Sequence, residues 1–158
     1  MTIRSASSED APAIAGLLTS LSLKFITCDF DSEGEANFLS SVEESAIRRF
    51  LSEDFVYFVA GEGDRVVGVV GIRGRTHLFH LFVAESLQGT GLGRKLWLHA
   101  RTEVIPLDYE GPLTVNSSRN AVEFYEKLGF VQDGGLDERG GVVAIPMSLS
   151  TLTGRGDS

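Results

Sequence analysis

Thr76-His77-Leu78-Phe79-His80-Leu81-Phe82-Val83, followed after four residues by Gln88-Gly89-Thr90-Gly91-Leu92-Gly93, is the stretch on which the reading of this chain turns. The first segment has the composition of a strand, and downstream Leu92, Leu96, Ala100 and Val104 recur every fourth residue on one helical stripe. The glycine run therefore sits where a strand enters a helix. Glycines let backbone N–H groups converge without Cβ obstruction, and the helix that follows directs its partial positive charge at the same point. Such a turn suits a phosphate or pyrophosphate.

Two common phosphate motifs do not fit these letters. A nucleotide-hydrolysing P-loop ends in Gly-Lys-Ser/Thr, whereas this turn ends Gly93-Arg94-Lys95 with no hydroxyl after the lysine. A dinucleotide fingerprint needs Gly-x-Gly-x-x-Gly after the first strand of a βαβ unit; here Gly89, Gly91 and Gly93 alternate, in mid-chain.

From Leu81 to Phe130 the sequence instead resembles the GNAT superfamily of acyl-CoA-dependent N-acetyltransferases. Leu81-Phe82-Val83 with Gln88 to Leu96 is similar to that family's cofactor-binding strand, pyrophosphate loop and helix. Val115-Asn116-Ser117-Ser118-Arg119-Asn120-Ala121-Val122-Glu123-Phe124-Tyr125-Glu126-Lys127-Leu128-Gly129-Phe130 is similar to its second motif. Many members carry an asparagine where this chain has Ser118, flanked by Asn116 and Asn120, and either of these two is a candidate for the cofactor contact.

Composition sets the bounds. With 158 residues and 42% hydrophobic content the chain suits a single domain over residues 1–150, trailed by a polar, glycine-rich tail at 151–158 whose Arg155-Gly156-Asp157 is read as chance. No charged leader precedes an apolar run, and no segment nears the roughly 20 apolar residues of a membrane helix. A cytoplasmic protein is expected, with no membrane or nucleic-acid partner, since 14 basic against 22 acidic residues give a net charge of −8. A homodimer is compatible with this composition. Cys28 is the only cysteine and the histidines lack zinc spacing, so no metal is expected. Acids concentrate early, at Asp29, Asp31, Glu33 and Glu35, and could draw in a cationic amine, although a solvated face is the commoner use of such a cluster.

Hydrophobic periodicity gives a first strand at Thr2 to Ser5, a helix with a Ser7–Pro12 start signal and the stripe Ile14, Leu17, Leu18, Leu21, and a second helix from Phe38 to Phe50 with a break near Ser40-Ser41. Strands follow at Phe55–Ala60, Val66–Ile72 and Thr76–Val83 as an antiparallel meander, then the motif helix, a strand at Leu113–Asn116, a helix from Ser118 to Leu128, and strands at Phe130–Asp133 and Val142–Leu149. The fold class is α/β of the α+β type: a mixed, mostly antiparallel sheet flanked by helices in the order β-α-α-β-β-β-α-β-α-β-β, which the resemblance also implies.

The resemblance implies acetyl-CoA as acyl donor and a primary amine as acceptor, in a direct transfer needing no covalent enzyme intermediate; small amine, amino acid and protein lysine are all open as acceptors, and the early acids tilt the expectation towards a small cationic amine. Gln88, Gly89, Thr90, Gly91, Leu92, Gly93, Arg94 and Lys95 are expected to hold the pyrophosphate, and Leu81 and Val83 to pair with the pantetheine arm through backbone groups, with Phe82 between them in the same cofactor-binding strand. Tyr125 matches the tyrosine that protonates the departing thiolate. His77, eleven residues before Gln88, matches a position where some members carry the base, and its ordinary pKa suits proton acceptance. Water is the alternative base. His80 has the opposite strand parity and ranks below His77. A regulatory module that binds acyl-CoA without catalysis would use the same loop.

Overall fold

A computed structural model describes residues 1–151. Strand β1 (Thr2–Ser5) leads through a 3-10 turn into α1 (Ala11–Phe25); α2 (Ser32–Ser40) and α3 (Glu44–Ser52) follow. The meander is β2 (Phe55–Glu62), β3 (Arg65–Arg73) and β4 (His77–Val83); then come α4 (Leu92–Val104), β5 (Pro112–Ser117), α5 (Val122–Lys127), β6 (Val131–Gln132), β7 (Asp137–Arg139) and β8 (Val142–Ser150). The sheet runs β1-β2-β3-β4-β5-β8-β6, with β7 paired to the start of β8, and only β4 and β5 are parallel neighbours.

Alternation along the strands sorts the core into two layers. On one face Tyr57, Val59 and Val69 pack against Ile14 and Leu18 of α1 and Ala46, Ile47 and Phe50 of α3. On the other, Val70, Ile72, Leu78, Leu113, Val115 and Met147 meet Leu92, Leu96, Trp97 and Ala100 of α4 and Tyr125 of α5. The helical stripes foreseen in α1 and α4 are the buried ones, apart from half-buried Leu17 and Val104.

One irregularity shapes the centre. Gly71 of β3 faces His80 and Ile72 faces Leu78, so Phe79 is an extra residue without a partner. A bulge of this kind bends its strand and increases the local twist. The parallel pairing of β4 with β5 ends beside it, at Leu78↔Val115, and the two strands part company while β5 continues along β8 through Ser117. Gly71 also makes room for Tyr57: a Cβ there would lie 2.5 Å from the Tyr57 ring. The Tyr57 hydroxyl lies 2.8 Å from His80 Nδ1, among Phe50, Phe79 and Phe82.

The expected second helix is two helices, separated at Ser41–Glu43, and α2 takes in part of the acidic stretch read as loop. Asp31 provides the reason: its side chain accepts from the Gly34 N–H at 2.7 Å and caps α2. Gly34 then packs directly on the backbone of Gly141, and the Asn37 side chain donates to Gly140 O at 2.7 Å, fastening α2 to the β7–β8 turn. Strand β7 was not foreseen. The expected tail at 151–158 lies outside the described residues except for Thr151, which is buried and donates to Gly111 O at 2.9 Å.

Gly71→Ala forces a methyl into the Tyr57 ring and is expected to cost about 1–3 kcal/mol, read as a drop in Tm of roughly 2–4 °C per kcal/mol. An unchanged Tm would mean that Tyr57 has somewhere else to go. Burial holds the His80 pKa down to about 3, against 6.5 for an ordinary histidine. The unfolded chain therefore binds the extra proton first, and stability present above about pH 6.5 is lost as pH falls towards the folded value. Between pH 7 and pH 5, His80→Gln should lose less stability than the unsubstituted chain, by on the order of 2 kcal/mol. Urea unfolding midpoints at the two pH values measure this; equal losses would contradict it.

Candidate functional site

The parting of β4 from β5 opens into a cavity of about 910 Å³ that runs from the start of α4, between the two strands, to the face covered by α1 and α2. Gln88, Gly89, Gly91, Gly93 and Arg94 line its first end. Gly91 caps α4 at φ 89°, a left-handed conformation open to glycine. Lys95 N–H is the first of the helix to be bonded, to Gly91 O at 3.0 Å; those of Gly91, Leu92, Gly93 and Arg94 donate to no described residue. Free amides at a helix N-terminus are chemically suited to an anion. Gln88 ties the loop to its strand, donating from Nε2 to Val83 O at 3.1 Å.

Other residues of the expected loop point elsewhere. The Leu92 side chain is in the core, the Thr90 hydroxyl donates to Leu87 O at 2.5 Å, and Lys95 is exposed off the cavity wall. What Leu92 offers the cavity is its N–H.

In the middle, Leu81, Phe82 and Val83 form one wall, and Asn116, Ser118, Asn120 and Tyr125 belong to the other. Ala84 N–H bonds Val67 O at 2.8 Å, so alternation turns the backbone groups of Phe82 towards β3 and those of Leu81 and Val83 towards the gap. Both asparagines reach the wall, and the Ser118 hydroxyl donates to Asn120 Oδ1 at 2.6 Å. Tyr125 is buried against the rings of Phe124 and Phe130, and its hydroxyl has no hydrogen-bond partner among the described residues. Burial pushes its pKa above the ordinary tyrosine value, which keeps the phenol protonated.

Both histidines of β4 line the cavity. The parity that set His80 below His77 does not hold, because the bulge at Phe79 returns His80 to the face that His77 occupies. Their surroundings separate them. His77 is half-buried with Nδ1 2.8 Å from Thr114 Oγ1, and burial, followed by the charge of Arg73, lowers its pKa to about 4. It is neutral at physiological pH. His80 is buried and paired with Tyr57.

The far arm of the cavity was not legible from motifs. Phe25, Phe38 and Phe79 give it apolar walls, and Arg73, Asp137 and Arg139 give it charge. None of Asp29, Asp31, Glu33 and Glu35 lines it. Asp31 caps α2, Glu35 accepts from the Thr27 hydroxyl at 3.1 Å, and Asp29 lies 3.9 Å from Arg119. Three of the four acids thus have local partners, and the stretch lies off the cavity wall, closer to the solvated face that is the commoner use of such a cluster. Arg73 reaches the site by strand register, directly opposite His77.

Comparison with known proteins identifies the family. Residues 26–151 match the family description "Acetyltransferase (GNAT) domain". The peptidyl-lysine N-acetyltransferase YjaB of Escherichia coli (strain K12) is 34% identical over 90 residues, which are 55% of this chain and 56% of YjaB, so the chain spans about half the length of that curated relative. Among solved structures, a GCN5-related N-acetyltransferase of Rhodopseudomonas palustris superposes with a TM-score of 0.77 at 25% identity, covering 94% of both chains. The PaiA N-acetyltransferase of Thermoplasma acidophilum, in complex with coenzyme A, gives 0.75 at 16% identity over 94% of this chain and 98% of its own, a likeness of fold. With the family match extending from the end of α1 to the end of β8, the chain belongs to the GNAT acetyltransferases.

Proposed function

We propose that the protein moves an acetyl group from acetyl-CoA to the amine of a small molecule, with both bound together. The observation that carries this reading is one continuous cavity that joins unpaired α4 amides, a buried protonated tyrosine and a neutral histidine. The PaiA structure holds coenzyme A on the same fold. In this chain the free amides of Gly91 to Arg94, with the Arg94 guanidinium, would take the pyrophosphate. The outward backbone groups of Leu81 and Val83 would receive the amide-rich arm as an added strand, with Asn116 and Asn120 opposite.

The acceptor nitrogen, uncharged, attacks the thioester carbonyl. The new N–C bond forms, the C–S bond breaks, and the products are the acetylated amine and free thiol. Tyr125 gives its proton to the sulfur, and His77 receives one from the nitrogen directly or through a water. Holding the two reactants together accounts for much of the acceleration, up to about 7–11 kcal/mol in well-oriented cases. α2 and the β7–β8 turn, fastened to each other, border the far arm, which favours a small acceptor. The one cysteine, Cys28, is exposed and unpaired, in keeping with a reducing cytoplasmic setting.

Calorimetric titration with coenzyme A and thiol release from acetyl-CoA across an amine panel test the reading. Binding without transfer to any amine would make the chain a binding module instead. Tyr125→Phe should lower kcat by about 10²–10⁴-fold while acetyl-CoA affinity stays within a factor of about two; an unchanged kcat would remove Tyr125 from proton transfer. Because His77 gains its proton only near pH 4, kcat/KM should show no inflection from it between about pH 5 and 8 and should rise with the deprotonation of the acceptor. Profiles for two amines of different pKa check this: midpoints that move with the amine agree, and a midpoint fixed near pH 6.5 for both does not.

A further inference from the structure

This inference rests on the proposed acetyl transfer. The protein is acidic, with a net charge of −8, yet three guanidiniums, Arg73, Arg94 and Arg139, line the cavity against a single described carboxylate, Asp137. Asp137 is already engaged, with Arg139 Nε 3.2 Å from it. Arg94 stands at the α4 end, where the donor's phosphates account for it. Arg73 is left over. It makes no side-chain hydrogen bond or ion pair with any described residue, and its guanidinium lies over the Phe79 ring, 5.5 Å from the centroid.

Its place in the sheet gives that charge a use. Arg73 and His77 are directly opposed on β3 and β4, so their side chains leave the same face with Cβ atoms about 4.5–5.5 Å apart. A ligand held by Arg73 therefore presents its neighbouring atoms to His77. Around them the arm is lined by Phe25, Ile26, Phe38, Phe79 and Val143. No described carboxylate in the arm is free to receive a second ammonium group.

We propose that the acceptor is an amino acid with an apolar side chain: Arg73 grips its carboxylate, the aromatic walls take the side chain, and the α-amine is left at His77. An α-amino acid carries amine and carboxylate on one carbon, which matches the adjacency of His77 and Arg73. A guanidinium binds a carboxylate through two parallel N–H donors, a geometry a lysine cannot reproduce. The same wall disfavours polycationic amines, whose extra charges would meet Arg73 and Arg139.

Thiol release from acetyl-CoA is measured with L-phenylalanine and L-leucine, with 2-phenylethylamine as the carboxylate-free counterpart, and with spermidine and a lysine-containing peptide. The amino acids should be preferred over 2-phenylethylamine in kcat/KM by about 10- to 100-fold. Arg73→Gln should erase most of that preference by raising KM for the amino acid, and Arg73→Lys should restore part of it. In parallel, N-acetyl-L-phenylalanine is titrated calorimetrically into the coenzyme A-loaded protein, a measurement independent of turnover; binding should be weaker in Arg73→Gln by a similar factor. Preference for spermidine, the peptide or 2-phenylethylamine, or equal binding by the unsubstituted protein and Arg73→Gln, overturns the acceptor assignment and leaves acetyl transfer standing. Failure of coenzyme A to bind refutes the transfer reading itself; titration of L-phenylalanine into the free protein then decides the role of Arg73 separately.

Discussion

The extra residue in β4 is the constraint on which the site depends. Antiparallel pairing with β3 would otherwise run unbroken, and β4 and β5 could pair along their whole shared length, sealing the sheet. With Phe79 inserted, parallel pairing stops at Leu78↔Val115. Backbone groups of Leu81 and Val83 are left facing a gap instead of a strand. A sheet that fails to pair its own donors and acceptors keeps them for a ligand, and the cost of exposing them is covered by the two cores that grip β4 from either face. The bulge also brings Phe79, His80 and His77 towards the same side, so one insertion both opens the gap proposed to take the donor and sets the two histidines beside it.

Legibility in the sequence followed how local each signal was. The strand–glycine–helix passage was readable because three local rules agree there: apolar composition before Gln88, alternating glycines, and a four-residue stripe after them. The stripe residues Leu92, Leu96 and Ala100 are buried as their spacing requires. The bulge was not readable, since one unpaired residue in a strand leaves no mark in composition, and the parity argument that ranks His80 below His77 fails on that account. Strand β7 was missed for a related reason. Asp137, Glu138 and Arg139 are all exposed and of poor strand propensity, and they pair because β8 offers an open edge beside them.

Charge was legible in amount but not in destination. The early acids suggested a negative field for an incoming cation. In the fold, helix capping and a hydroxyl contact use Asp31 and Glu35 locally, and the cavity wall is instead arginine-rich. Nothing in the letters around Arg73 marks it. Its significance comes from lying opposite His77, a relation fixed by the β3–β4 turn and the register beyond it.

The electrostatics of Tyr125 and His77, the two groups proposed to handle protons, differ in a way that bears on the proposed order of events. Tyr125, protonated at neutral pH like any tyrosine, has its pKa raised further by burial. His77 is kept neutral by burial and, second, by the positive charge of Arg73. A carboxylate seated on Arg73 cancels that second cause and leaves the first. As far as that charge is concerned, the imidazole would be more basic with a carboxylate in place than with the arm empty. On the acceptor assignment proposed above, the group that positions the substrate also strengthens the base that serves it.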